Sequence, residues 1–347
     1  MRICVVGLGV IGTTYGYVFQ KAGHQVEHLL REEKKSKAPE SLNISLLDGR
    51  YKKKGEEKAD QYKVNLAESN AEYDFIILSV ASGKIKDAIT TLSQNHIRGS
   101  LILFCNFWNS REEMNEIAGT YPYVIGFPTA GGRLLQNNLD CVLFDHIMLE
   151  SEEKAGISNY KALTTLLASA DLKTEIPHDM VEWIWLHMAI NAGVTSSAAR
   201  EGKIEHPAQL ALNLMKDAHA LSITVKAIRE TIQVVKARGV DLSFYKNELL
   251  PYRIPAAFAG ILMKRMFKTN ELTRRIMTLH SDVGDMLYGC KCVYETGKLK
   301  HLDLPMFYFT MDKILKWYLS DFRDRLNKIL TQPVVEYIEL NRRFLSF

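Results

Sequence analysis

Polar side chains that recur on one face of an otherwise apolar helix are the groups in this chain best suited to chemistry. The segment from Trp183 to Ala198, WIWLHMAINAGVTSSA, is mostly apolar and small, as a buried helix should be. Within it His187, Asn191 and Thr195 recur at i, i+4 and i+8 and therefore share one face. Polar groups on a buried helix need partners, and a cleft facing a polar substrate supplies them. The reaction these residue types suit is hydride transfer to a carbonyl. Negative charge then develops on oxygen, and a donor beside it stabilises that charge and delivers the proton. His187 is the expected acid-base group, since an imidazole titrates near ~6.5. Asn191 and Asn106 can bond hydroxyl, carbonyl or carboxamide groups without changing charge. The plainer alternative is a core histidine bonded to backbone, with the asparagine and threonine satisfied locally.

A hydride needs a carrier, and the first 31 residues, MRICVVGLGVIGTTYGYVFQKAGHQVEHLLR, have the form of a dinucleotide site. Ile3 to Val6 is an apolar, β-branched run too short for a helix, so a buried strand is expected. Gly7, Gly9 and Gly12 follow in G-x-G-x-x-G spacing, then a helical stretch from Ile11 to about Ala22. Gly23 ends that helix, and Val26 to Leu30 forms a second strand. In this context Gly7 permits the tight turn, Gly9 lets a pyrophosphate approach the backbone, and Gly12 lets helix pack on strand. The loop residues Gly7, Leu8, Gly9, Val10, Ile11 and Gly12 are thus the expected cofactor cradle, with the helix N-terminus turned to the phosphates. After the second strand, NAD sites place an acidic residue and NADP sites a basic one. Arg31 stands there, followed by Glu32 and Glu33 and then Lys34 and Lys35, so NADP(H) is the expected cofactor.

These groups must be held by alternating strands and helices. Residues 43–47 and 61–66 are expected to pair as short strands around Asp48-Gly49-Arg50. Buried strands are expected at 73–80 and 101–106 and further strands at 124–127, 141–149 and 172–176, with helices at 83–92, 112–118 and 160–170. Such alternation implies a parallel, doubly wound sheet. Ligands in such sheets sit at the carboxyl ends of strands, which nominates Val80, Ala81 and Asn106 as neighbours of cofactor or substrate. Pro177 and His178 mark a boundary, after which 180–200, 207–238, 256–266, 271–287 and 306–330 read as helices. The expected architecture is a Rossmann-type domain over 1–177 and an all-helical domain over 178–347 for substrate and dimer contacts, with substrate in the cleft between them.

Several of these features together resemble the ketopantoate reductases (2-dehydropantoate 2-reductases). They are G-x-G-x-x-G at residue 7, Arg31 after the second strand, Asn106 at a strand end, and a W-x-x-x-x-x-N helix formed by Trp185 and Asn191. The resemblance implies an NADP-binding Rossmann domain, a helical second domain, and reduction of a 2-keto acid to a 2-hydroxy acid. Residue by residue it places Gly7, Gly9, Gly12 and Arg31 at the cofactor, Asn106 near nicotinamide and substrate, and Asp285 at the family's carboxylate. The chain also departs from the pattern. His187 stands where the family carries its catalytic lysine, Thr195 where it carries a second asparagine, and Ala81 where it carries a lysine after the strand at 73–80. Histidine is shorter than lysine and loses its charge near neutrality, so the substrate must lie nearer the helix or differ in shape. An opine-type or other hydroxy-acid dehydrogenase, and a non-catalytic NADP(H)-binding sensor, are the alternatives.

Composition sets the outer limits. The 347 residues suffice for two cores, and 47% hydrophobic with 24% charged content is that of a globular protein. A net charge of +4 without a dense basic stretch gives no reason to expect a nucleic-acid partner. No apolar segment approaches the ~20 residues that cross a bilayer, so no membrane partner is expected. The five cysteines, at 4, 105, 141, 290 and 292, are expected to be buried or free thiols in a reduced, cytoplasmic protein, with no metal site. Trp317, Tyr318, Phe322 and Leu326 recur at helical spacing near the C-terminus, as extra packing or the contact of a homodimer would.

Overall fold

The computed structural model describes residues 1–200, 206–279 and 283–316. The chain opens as expected, with β1 (Arg2–Val6), α1 (Val10–Lys21) and β2 (Gln25–Leu29), then a single helical turn, α2 (Glu32–Lys35). Gly23, at φ +88°, closes α1, its N–H reaching back to Gln20 O while His24 N–H reaches Phe19 O. The hairpin β3 (Ser41–Asp48) and β4 (Glu56–Lys63) precedes β5 (Glu72–Leu78), α3 (Ile85–Gln94), β6 (Arg98–Leu103), α4 (Arg111–Ala118) and β7 (Tyr123–Phe127). Next come β8 (Ala130–Leu135), β9 (Asn138–Leu143), β10 (His146–Leu149), α5 (Tyr160–Ser169) and β11 (Lys173–Glu175).

The main sheet runs β11-β10-β7-β6-β5-β1-β2 and is parallel from β7 through β2. Both faces of its central strands are covered, which is why these strands are continuously apolar rather than alternating. Ile3, Val5, Phe75 and Ile77 face a core shared with α1 and α5, while Cys4, Val6, Ile76 and Leu78 face one built with α3 and α4. This is a Rossmann-like α/β sheet followed by a helical C-terminal region.

Two expectations about the strands need correction. The run at 141–149 is not one strand of the parallel sheet. It breaks at Phe144 and Asp145: β9 pairs with β3 and β8 in a second sheet ordered β4-β3-β9-β8, and β10 returns antiparallel to β7. Asp145 is polar in the middle of an apolar run because its carboxylate is taken by Lys173 and His146, at 2.8 and 3.0 Å. The hairpin loop also spans 49–55 rather than three residues. Just before it Asp48, the last residue of β3, is fully buried and bonded by Arg50 and Lys58, both at 2.8 Å.

The helical region contains α6 (Met180–Ala198), α7 (Pro207–Lys216), α8 (Ala218–Ala237), α9 (Lys246–Arg253), α10 (Ala256–Thr269), α11 (Glu271–Leu279) and α12 (Val283–Leu299), and residues 305–316 are helical. Asp179 caps α6 by accepting from Val181 and Glu182 N–H. The expected helix 207–238 is two helices. Asp217 interrupts it and caps α8 by accepting from His219 N–H at 2.7 Å. Of the expected helix 271–287, the described residues 271–279 and 283–287 are helical, in α11 and α12, and 280–282 lie outside the described residues. So do Trp317, Tyr318, Phe322 and Leu326. α11 packs Leu272, Ile276 and Leu279 against Leu47 and Val142 of the second sheet. Cys4, Cys105, Cys141 and Cys290 are buried, and all five cysteines are free. No helix among the described residues is long and apolar enough to cross a membrane.

Candidate active site

The glycine turn lies at the carboxyl end of β1, between β2 and β5. Gly7 adopts φ +85°, a conformation that favours glycine, and its N–H donates to Leu29 O at 2.9 Å. A Cβ on Gly12 would come within 2.5 Å of Val5 Cγ1 and 2.7 Å of Ser79 Oγ, so α1 can lie on the sheet only with glycine here. Gly9 precedes α1 without a side-chain cap, and the first bond into its carbonyl comes from Thr13 N–H. The amides of Val10, Ile11 and Gly12, together with the positive end of the helix dipole, are left for an outside acceptor. Ser79 Oγ is buried beside this turn with no hydrogen-bond partner among the described residues. An orphaned hydroxyl, a cradle that excludes a Cβ and an uncapped helix start all fit a bound pyrophosphate.

The other nominated residues follow along the same edge. Arg31, just past the end of β2, is exposed, and its side chain has no ion pair among the described residues. Val80 and the exposed Ala81 lie past β5, and Asn106 lies past β6 with its Oδ1 buried and without a partner among the described residues. From β2 to β7 there are four strand-to-strand steps. At about 4.8 Å per step the row is roughly 19 Å long, the scale of an extended dinucleotide.

His187 meets this row at its β7 end. Its ring stacks on Trp183, with centroids 5.2 Å apart and planes 9° from parallel, and lies 4.4 Å from the ring of Phe127, the last residue of β7. Asn191 Nδ2 donates to His187 Nε2 at 2.8 Å, which leaves the ring proton on Nδ1. Burial between two aromatic rings penalises the charged form and pulls the His187 pKa down to about 4. In this state the ring is neutral near pH 7, where the sequence suggested a readily protonated one.

Asp285, in the first turn of α12, accepts from Ser82 N–H at 2.9 Å in the loop after β5. Its charge also helps to raise the pKa of the Cys105 thiol, after burial, and so lies near the strand end that carries Asn106. Tyr288, one turn further along α12, covers Gly83 in the same loop. Thr195 is on the shared face of α6 but meets the Cys290 thiol at the seam with α12. Trp185 points the other way. Its Nε1 donates to Asn109 O at 3.2 Å, and Arg238 lies 3.5 Å from its ring centroid.

Three groups around the site were not singled out from sequence. Phe127 and Trp183 make the aromatic box of His187, and an aromatic residue at the end of an apolar strand gives no hint of a partner some sixty positions later. His28 is the third. A histidine inside the apolar run of β2 was a visible signal, because an imidazole buried there must be bonded.

Residues 3–153 match the family described as ketopantoate reductase PanE/ApbA, and the resemblance read from the sequence is borne out over this segment. The fold as a whole is shared with solved structures. A dimeric ketopantoate reductase from Staphylococcus aureus aligns at TM-score 0.59 and 13% identity over 92% of this chain and 99% of its own. D-mandelate dehydrogenase in a ternary complex with NADH and anilino(oxo)acetate aligns at 0.63 and 15%, over 90% and 96%. Yersinopine dehydrogenase with NADP+ aligns at 0.63 and 11%, over 94% and 92%.

Proposed function

We propose that the protein, whose residues 3–153 match the ketopantoate reductase PanE/ApbA family, is an NADPH-dependent reductase of a 2-keto acid or related carbonyl, giving the 2-hydroxy acid. The observation that carries this reading is the row along the carboxyl edge of the sheet. Arg31, the open amides after β1, Asn106 and His187 follow one another from β2 to β7.

In this reading the amides of α1 and the turn hold the pyrophosphate, Arg31 meets the 2′-phosphate, and the dinucleotide, when bound, supplies the hydride. Asn106 offers an unpaired buried acceptor and its amide donors to the substrate. Asn191 fixes the His187 tautomer so that Nδ1–H is the donor for the carbonyl oxygen. A substrate carboxylate beside the ring would favour the imidazolium and raise its pKa from the free value, with the Asn191 amide turned so that its Oδ1 accepts from the new Nε2–H, making His187 a competent acid only when substrate is bound. Asp285 is assigned to ordering the loop after β5 and to polar contact with substrate. Thr195 is assigned to substrate binding through the same helix face. A homodimer in the cytoplasm is the expected working form.

A histidine acid in place of lysine favours an opine-type or other hydroxy-acid dehydrogenase as the second reading, in keeping with the fold shared with yersinopine dehydrogenase. His187→Ala tests the mechanism common to both. Turnover should fall by about 10²–10⁴-fold with cofactor affinity little changed. An unaffected rate removes His187 from the mechanism.

A further inference from the structure

We infer that His28, buttressed by Tyr62, is a positioning residue for the nucleotide: it turns the Gly7–Leu8 peptide so that the Leu8 N–H faces the phosphate crevice. The inference rests on the reading of the glycine turn as a dinucleotide site.

His28 and Tyr62 are both fully buried, one on β2 and the other on β4. His28 Nδ1 lies 2.7 Å from Gly7 O, and Nε2 lies 2.7 Å from Tyr62 Oη. A carbonyl can only accept, so Nδ1 carries the proton and donates to Gly7 O, and Nε2 must then accept from the Tyr62 hydroxyl. Both ring nitrogens are satisfied in one tautomer with no charge. The Tyr62 ring is itself held, edge-on to Tyr17 with centroids 6.4 Å apart, beneath α1. A Cβ on Gly16 of α1 would come within 2.8 Å of the Tyr62 hydroxyl, so helix and phenol are in close contact.

The consequence for the turn follows from peptide geometry. In a trans peptide the C=O and the next N–H point in opposite directions. Fixing the Gly7 carbonyl inward, onto a buried imidazole, therefore sends the Leu8 N–H outward, to the side where α1 leaves its first amides open. Without the donor, Gly7 at φ +85° has the freedom to turn this peptide over, and a carbonyl would then face the phosphate. An apolar residue at position 28 would leave the carbonyl buried and unpaired, which adds to the drive to turn.

Three variants and two cofactors test this by fluorescence titration of NADPH and NADH, alongside apo-protein melting. His28→Leu removes the donor and should raise both dissociation constants by a common factor of about 10, the worth of one hydrogen bond. The factor is common because the pyrophosphate is shared by the two cofactors. His28→Asn keeps a donor where Nδ1 stood and should recover most of the affinity. Tyr62→Phe leaves Nε2 without a partner and should raise both constants by roughly 3-fold, a smaller share of the same bond energy. A folded His28→Leu with unchanged dissociation constants overturns the inference, however far its melting point falls. If that variant does not fold, unchanged constants in Tyr62→Phe overturn it instead. Wild-type protein that binds neither dinucleotide overturns the reading beneath the inference and the inference with it.

Discussion

Replacing Trp183 by alanine should return His187 toward the titration of an ordinary imidazole. In the folded protein the ring is stacked on Trp183 and flanked by Phe127, and its pKa is drawn down to about 4 by burial. At pH 7 that leaves about 0.1% of the ring protonated, whereas an unperturbed pKa near ~6.5 gives about 24%. Opening one face of the box should therefore raise the protonated population by up to about 200-fold. The assay is an NMR titration of the imidazole resonances, with the His187 signal assigned among the ten histidines as the one lost in His187→Asn. The wild-type signal should titrate well below 6 and the Trp183→Ala signal measurably higher. A wild-type His187 that titrates near ~6.5, or a variant in which it does not move, refutes the argument that the aromatic box sets its charge state. The same reasoning fixes a kinetic signature. kcat/KM, which reports the free protein, should rise as pH falls toward 4, while kcat should hold to higher pH because bound carboxylate supports the imidazolium.

Two further outcomes are expected. Arg31→Ala should weaken NADPH by about 10–100-fold and leave NADH nearly unchanged, because an arginine–phosphate bond is charge-assisted and NADH lacks that phosphate; equal effects on the two defeat the NADP assignment. Burial holds the His28 pKa down at about 4, against which the bond to Gly7 O pulls weakly upward, so the unfolded chain binds more protons between about 4 and 6.5. Stability should then be full above ~6.5 and fall as pH drops toward 4, by up to ~3 kcal/mol from His28 alone. Urea unfolding of wild type and His28→Asn at pH 7 and pH 5 checks this, and equal pH dependence in the two proteins contradicts it. Asp48 does not confuse the window. Burial raises its pKa, but bonds from Arg50 and Lys58 outweigh that and hold it at about 2, so its contribution is lost only at lower pH.

The part of the fold most legible in sequence was the part fixed by local rules. The strand–glycine turn–helix–strand unit at residues 1–30 and the start of α6 after Pro177 lie within two residues of their expected places. Glycines that must take positive φ or admit a close helix, and a proline that marks a boundary, leave marks that need no tertiary context. The run 141–149 left none, because apolar residues on either side of Phe144-Asp145 look alike whether they belong to one sheet or two. Asp217 failed as a signal for the opposite reason: a capping aspartate inside a long apolar periodicity reads as a solvated position. The spacing of His187 and Asn191 showed that they share a face, and they are indeed bonded. What lay across from that face, Phe127 from the end of β7, depended on how α6 docks on the sheet, and with it went the charge state of the candidate acid.

If the row from Arg31 to His187 carries a reduction, the protein must consume NADPH in the presence of a carbonyl substrate. The measurement is the loss of nicotinamide absorbance when the protein is mixed with NADPH and a panel of 2-keto acids that includes ketopantoate. NADPH should be oxidised in a substrate-dependent way with at least one 2-keto acid, and the oxidation should be abolished or strongly reduced in His187→Ala. Tight NADPH binding with no oxidation across the panel would contradict it and identify the protein as a binder of the dinucleotide rather than a reductase.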